Sequence, residues 1–239
     1  MKTTLLTLAF AATTLLATAQ QSRPVALASA AHPAAAPAAP AAYTQTMLAA
    51  IAGQNTSKTA EELLANAASF EQAAAAAPKA WEPRYYQARS YSKMGSIEKE
   101  PAKKDQAFAQ AQAALDQAQK LPGADQAEVL VLQAVIYQGM MMADPATRAE
   151  KYSALVTETL KQAKALAPAN PRLHLLLGND LYYCPAEYGG GPDKARPVYE
   201  QAKALFGSFR PATALSPVWG EKTVDAMLAK IGTATAANK

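Results

Sequence analysis

Residues 59–95 read TAEELLANAASFEQAAAAAPKAWEPRYYQARSYSKMG and carry the signals for two helices with a break between them. In the first half, apolar residues recur three or four positions apart, the spacing that places side chains on one face of an α-helix. Pro78 ends this helix, and Pro83 lies near the start of a second one, where its missing N–H costs nothing. The second helix stops at Gly95, a residue that readily takes the left-handed conformation after a helix. The stretch therefore predicts a pair of helices joined by a short turn.

The same plan recurs along the rest of the chain. Half of the residues are hydrophobic and only 7% are aromatic, and alanine, the best helix former, dominates the apolar set. Proline and cap residues such as Asp144-Pro145, Pro171 and Asp193 indicate further helix starts. Helices are expected at 105–120, 125–142, 146–167, 171–183, 194–206 and 217–231. The sequence thus predicts an all-α protein.

A shared spacing relates the second helix of each pair. Four copies have the same gaps of four, three and five positions and end in a helix breaker: Asn66, Phe70, Ala73, Pro78; Ala111, Leu115, Ala118, Gly123; Val156, Leu160, Ala163, Pro168; and Ala195, Tyr199, Ala202, Gly207. The first helix of the following pair has a small residue three positions before a larger one: Ala88 and Tyr91, Ala134 and Tyr137, Gly178 and Leu181. We expect the small residues at helix crossings and the large ones between successive pairs.

This pattern resembles the tetratricopeptide repeat, in which a small residue precedes a Tyr in one helix and Ala-x3-Phe precedes Pro in the other. The resemblance implies a right-handed α-solenoid of antiparallel helix pairs over residues 57–207. Ala73, Ala118 and Ala163 are 45 residues apart, whereas the family repeats every 34. We expect the excess in loops at 95–104, 139–148 and 184–192.

The resemblance also implies a binding groove lined by the first helix of each pair. The residues expected to face it are Tyr85, Arg89, Lys93, Val131, Gln138, Arg172, Leu175, Asn179 and Tyr182. This mixture of basic and aromatic side chains suits an acidic or extended peptide. Binding of a protein or peptide partner is therefore the leading functional hypothesis, and the tether or the last helix is an alternative occupant of the groove.

The N-terminus has the features of a secretory signal. Lys2 is followed by a mostly apolar stretch and by the small-x-small sequence Ala17-Thr18-Ala19, which predicts a signal peptide at 1–19 and a periplasmic or secreted protein. Prolines among alanines predict a disordered tether at 20–56, with Tyr43 as an alternative start of the folded part. Residues 208–239 are expected to form a C-terminal capping helix and tail.

Sequence patterns for chemistry are weak. His32 and His174 have no His or Cys partner at ligand spacing, so neither a metal site nor a catalytic site is predicted, and the protein is expected to be neither an enzyme nor cofactor-dependent. The formal charge is +4, without the dense basic stripe typical of nucleic-acid binding. No later apolar stretch is long enough to span a membrane. The lone Cys184 is interpreted as a small buried side chain rather than a reactive thiol.

The second half also resembles exported bacterial repeat proteins with a Gly-rich loop and a Pro-x-Trp-Gly segment. The matching residues are Tyr188 to Pro192 and Pro217 to Gly220, and this resemblance implies no defined activity. The Gly189–Gly191 run favours a tight turn between helices, with an anion-binding nest of N–H groups as the alternative. A small-ligand site near Tyr182–Gly191, in an accessory protein of an envelope transport system, is the second functional hypothesis.

Overall fold

The computed structural model describes residues 41–237, with side chains described as far as residue 233. This part of the chain is all-α, as predicted. Its elements are α1 (Ala41–Thr56), α2 (Ala60–Ala76), α3 (Glu82–Ile97), α4 (Pro101–Gln119), α5 (Gln126–Ala143), α6 (Pro145–Leu166), α7 (Pro171–Tyr183), a short 3-10 turn (Ala186–Tyr188), α8 (Pro192–Ser208) and α9 (Glu221–Ala237).

Side-chain caps fix several helix starts. The Thr59 hydroxyl accepts a hydrogen bond from the backbone N–H of Glu62, and the Glu62 carboxylate accepts one from the N–H of Thr59, which is a capping box at the start of α2. Asp144 caps α6 ahead of Pro145, and Asn170 caps α7 ahead of Pro171. The helix starts predicted at these three places are confirmed.

The folded part begins earlier than the predicted tether allows. The tether was expected to continue to residue 56, but Ala41–Thr56 forms α1. Met47 and Ile51 of α1 are buried in a core cluster with Phe70 and Tyr86, and this burial stabilises a helix whose sequence is rich in alanine. The predicted signal peptide and the rest of the predicted tether lie outside the described residues.

The extra length of the repeats lies mostly in the helices. The expected loops at 95–104 and 139–148 are wrong, because α3 continues to Ile97 and α4 starts at Pro101, while Asp144 alone separates α5 from α6. A proline at the first helical position lets each new helix start at once. The third expected loop, at 184–192, contains the 3-10 turn, and α8 starts at Pro192 rather than after Asp193.

Each helix packs on the next, and α1, α3, α5 and α7 also contact one another in sequence. Small residues permit this close packing. Ala111, Ala118 and Ala134 are fully buried, and a Cβ added to Gly178 would lie 2.5 Å from the ring of Tyr199 on α8. Helices α7 and α8 therefore meet at a distance that only glycine permits at position 178.

Residues 209–220 connect α8 to α9 and form no helix. This segment runs back over α3. Leu215 is buried in the same core cluster as Met47 and Phe70, and its carbonyl accepts a hydrogen bond of 3.0 Å from the Tyr86 hydroxyl of α3. Trp219 packs against two further core clusters, one that includes Leu160 and Leu173 and one that includes Tyr199 and Phe206. We call residues 209–220 the return segment. It covers part of the face on which α3 and α7 were expected to bind a partner.

The last helix starts at Glu221, four residues after the predicted start at 217. Gly220, with a φ of 113°, makes the turn into it. Within residues 41–237, no helix is both long and apolar enough to cross a membrane.

Candidate functional site

A cavity of about 270 Å³ lies between α3, α5 and the return segment. Its lining consists of Arg89, Ser92, Lys93, Ser96, Ile97, Leu132, Val135 and Trp219. The five residues of α3 follow the helical spacing that puts side chains on one face, so a single helix supplies the polar wall. We call this space the Trp219 cavity.

Two cations lie side by side on the polar wall. Arg89 and Lys93 are four residues apart on α3, and both bind Gln54 near the end of α1: Nη1 of Arg89 donates to the Gln54 side-chain oxygen, and Nζ of Lys93 donates to the Gln54 carbonyl. Among residues 41–233, neither cation is paired with a carboxylate. The cavity therefore has positive charge that the described part of the chain does not neutralise.

Burial disfavours both charges. It lowers the pKa of Arg89 to about 10, and it lowers the pKa of Lys93 to about 8, with a further contribution from the positive charge of Arg89. An anion placed beside the pair would relieve both effects, since it supplies the missing counter-charge. The electrostatics of the cavity thus favour a negatively charged ligand.

Gln54 fixes the position of this pair. Its side chain is fully buried, and its Nε2 donates to the Tyr86 carbonyl at 2.7 Å and to the Ser90 hydroxyl at 2.6 Å. These bonds determine which way its side-chain oxygen faces, and that oxygen accepts from Arg89. Helix α1 therefore takes part in building the site.

The remaining walls are a hydroxyl, aliphatic side chains and an indole. The Ser92 hydroxyl is buried and makes no hydrogen bond within the described residues. Leu132 and Val135 supply an apolar wall, and the half-exposed Ile97 lies at the rim. The centre of the Trp219 ring lies 5.2 Å from the guanidinium carbon of Arg89, close enough for a cation–π interaction.

A buried polar network holds Trp219 in place. Its indole Nε1 donates to the Tyr85 hydroxyl at 3.0 Å, and that hydroxyl lies 3.4 Å from Oε2 of Glu128. Glu128 also pairs with Arg172 at 2.5 Å and accepts from Asn170 at 2.6 Å. The indole orientation thus depends on residues from α3, α5 and α7.

Several residues expected to line a groove are instead part of the interior. Tyr85, Val131, Arg172 and Leu175 are each 2% exposed or less. The Arg172 guanidinium pairs with Glu128 through Nε and Nη2 and lies over the Phe209 ring. The core clusters and the return segment bury these side chains, so in this structure they are not open to a partner.

The other predicted groove residues are partly exposed but do not join the cavity. The Gln138 side chain donates to the Leu176 carbonyl at 3.2 Å, and the Asn179 side chain accepts from the Tyr199 hydroxyl at 2.8 Å. The Nζ atom of Lys230 lies over the Tyr182 ring, 4.9 Å from its centre. Of the nine predicted residues, Arg89 and Lys93 are the two that the structure brings together at a cavity.

A search with models of known protein families finds no match, and no curated protein matches the sequence. Among solved structures, we compare the chain with one similar protein. It is the HusA haemophore from Porphyromonas gingivalis, with a TM-score of 0.72 and 28% sequence identity. The match covers 82% of this chain and 95% of that one.

The Gly-rich loop is built as a turn. The N–H groups of Gly189, Gly190 and Gly191 all donate to nearby backbone carbonyls, so they are not available as an anion nest. A Cβ at Gly190 would lie 2.2 Å from the Cys184 carbonyl oxygen. Cys184 itself is partly exposed, which differs from the buried position expected for it.

Other candidate chemical groups do not assemble into a site. His174 is buried, and its Nε2 lies 2.7 Å from the Pro168 carbonyl. Within the described residues, no group of three His, Cys, Asp or Glu side chains is placed to hold a metal ion. A second cavity of about 380 Å³ contains Arg148, whose guanidinium is already paired with Asp105 at 2.5 and 2.8 Å.

Sequence reasoning missed most of the cavity. Leu132 and Val135 lie in the helix predicted at 125–142, and the sequence does not mark them as residues of a site. Trp219 belongs to the Pro-x-Trp-Gly segment, for which no activity is implied. Nothing local to Trp219 indicates that it packs beside Arg89, 130 positions earlier. The available signal was one of the chain's two Trp residues next to a glycine, in a sequence that is poor in aromatic residues.

Proposed function

We propose that this chain is a non-catalytic binding protein that captures haem, or a porphyrin closely related to it, at the Trp219 cavity. The similarity to the HusA haemophore carries the proposal, because it spans most of both chains at 28% identity. It favours the second functional hypothesis, small-ligand binding in the bacterial envelope, over peptide binding. The proposed ligand site is therefore the Trp219 cavity and not the region at Tyr182–Gly191.

The chemistry of the cavity supports this ligand class. A porphyrin offers a flat aromatic ring and carboxylate side chains, and the cavity offers an indole, an aliphatic wall and two cations without acidic partners. Flat rings stack favourably on indoles, and charge-assisted hydrogen bonds to carboxylates are strong. A volume of about 270 Å³ lies just below the usual range for small-molecule sites. It therefore accommodates one edge of a porphyrin, with the rest of the ring passing over the rim at Ile97.

The residues that line the cavity would recognise the ring and its carboxylates rather than the metal. The eight lining side chains include no His, Cys, Met or Tyr, the types that usually ligate haem iron. Metal-free protoporphyrin is therefore expected to bind about as well as haem, and it serves as the second ligand in the titration that follows.

Titration of the full chain with haem tests the proposal. We expect a saturable change in the haem absorbance band with a stoichiometry of one. Trp219→Leu should weaken binding at least about tenfold, as expected for loss of a central aromatic contact. Tyr188→Leu is the matched control, since Tyr188 is 79% exposed in the Gly-rich loop. Absence of saturable binding by both porphyrins overturns the proposal. If only Tyr188→Leu loses affinity for haem, the ligand binds at the Gly-rich loop and not at the Trp219 cavity.

We further infer that the helix pairs form a tetratricopeptide-like right-handed solenoid. The sequential contacts among α1, α3, α5 and α7 and the buried small residues of the second helices support this arrangement. Export to the periplasm or cell exterior stays a prediction that rests on residues 1–19. Binding of a protein or peptide also stays a prediction, and it would require a surface other than the one that the return segment covers.

A further inference from the structure

Resting on the proposed function, we infer that Arg89 and Lys93 form a carboxylate seat, which makes the protein selective for porphyrins with free acid side chains. Haem carries two propionates on one edge, and two cations one helical turn apart present their charges to such an edge. The seat fixes the orientation of the bound ligand, because its carboxylate edge faces α1 and α3.

Both cations have donors left for a ligand. Arg89 uses Nη1 for Gln54 and Asn55, which leaves its Nε and Nη2 groups without hydrogen bonds in the described part of the chain. Lys93 uses one of its three protons for the Gln54 carbonyl. A carboxylate at this place can therefore accept bonds from either cation without breaking those that position it.

The buried hydroxyl of Ser92 is a separate observation that points the same way. Ser92 is 1% exposed, lines the cavity, and its Oγ finds no partner among residues 41–233. Burying a hydroxyl without a hydrogen bond is unfavourable, and a ligand oxygen in the cavity would satisfy it. Two unpaired cations and an unpaired hydroxyl on adjacent turns of α3 thus form a set that a carboxylate completes.

Gln54 acts here as a positioning residue. It binds both cations through different atoms, the side-chain oxygen for Arg89 and the main-chain carbonyl for Lys93. Because its Nε2 is tied to Tyr86 and Ser90, its oxygen cannot turn away. The two charges are therefore kept close together despite their repulsion.

The test compares haem with its dimethyl ester on the full chain, with the same detergent in both titrations. The ester keeps the ring and iron but has no carboxylate charge. We expect it to bind about 10- to 100-fold more weakly than the acid, the range for loss of a hydrogen bond to a charged group. Equal affinities for acid and ester overturn the seat while the proposed function stands. Failure of both compounds to bind overturns the proposed function and the seat together.

Charge-removing variants assign the selectivity to these residues. Lys93→Gln keeps a donor for the Gln54 carbonyl, and Arg89→Gln removes the guanidinium; each should lower haem affinity about 10-fold or more and leave ester affinity unchanged. Lys99→Gln is the control, because Lys99 is exposed and does not line the cavity. An equal loss for acid and ester would assign the effect to altered folding rather than to the seat. The comparison of acid and ester on the unmodified chain does not depend on any variant.

Discussion

At the scale of single residues, the Glu128–Arg172 pair makes the stability of the fold sensitive to substitution of either partner. Glu128 and Arg172 are 4% and 1% exposed, so each neutralises a charge that water cannot reach. Removing one partner of such a pair leaves the other charge buried alone, which costs about 3–5 kcal/mol. Arg172 is therefore a residue for folding rather than for contact with a partner.

Arg172→Met should lower the free energy of unfolding by about 3 kcal/mol or more in urea denaturation. The double variant Glu128→Gln with Arg172→Met should recover much of this loss, because it removes both charges. A loss under about 1 kcal/mol for the single variant would mean that Glu128 reaches solvent, contrary to the packing described.

Lys93 makes binding dependent on pH. Its ammonium faces Arg89 on α3 and the Gln54 carbonyl of α1, while α5 and the return segment present the uncharged Leu132, Val135 and Trp219. Its pKa is lowered to about 8 in the unliganded chain, so the charge is lost as pH rises through that value. Affinity for haem should fall about tenfold between pH 7 and pH 9.

The matched variant Lys93→Gln should show no such decline between pH 7 and pH 9, since it has no proton to lose. Stability of the unliganded chain changes in the opposite direction. The folded-state pKa lies below the ordinary value of 10.5, so the unfolded chain binds more protons between pH 8 and 10.5, and the contribution of Lys93 to stability rises with pH there. Haem affinity that declines equally in both proteins would contradict this role of Lys93.

At the scale of elements, the return segment packs the chain between α8 and α9 against α3. Leu215 packs at 6% exposure beside α3, whereas Val218 in the same segment is 52% exposed. Leu215→Ala should lower the free energy of unfolding by about 2–3 kcal/mol. Val218→Ala should change it by less than about 0.5 kcal/mol. Urea unfolding of the two variants measures this difference, and equal effects would mean that the segment does not pack on α3.

The helices themselves could largely be predicted from local signals. Thr59, Asp144 and Pro171 act within one turn of where they stand, so caps and prolines revealed the starts of α2, α6 and α7. The end of α3 could not be predicted, because Gly95 lies within the helix, where the ring of Phe108 packs so closely that a Cβ there would lie 2.9 Å from it. A glycine that serves packing has the same appearance in the sequence as one that ends a helix.

At the scale of the whole molecule, the site arises from parts that are distant in sequence. Gln54, Arg89, Leu132 and Trp219 come from α1, α3, α5 and the return segment. Helical spacing indicated that Arg89 and Lys93 share a face. The return of the chain past α8 to cover that face depends on tertiary packing of Leu215 and Trp219, for which the local sequence contains no period or cap. The positions of Arg89 and Lys93 on the polar wall were therefore predictable, and the position of the Trp219 indole was not.

Two-dimensional NMR of the indole N–H groups tests the central claim most directly. The chain has two Trp residues, and Trp81→Phe assigns their signals. Ring-current shifts fall steeply with distance, so metal-free protoporphyrin bound at the cavity should shift the Trp219 indole signal strongly, with saturation at one equivalent. The Trp81 signal should move less, because Trp81 does not line the cavity and contacts Trp219 only through Tyr85. Saturable porphyrin binding that leaves the Trp219 signal in place would contradict the account.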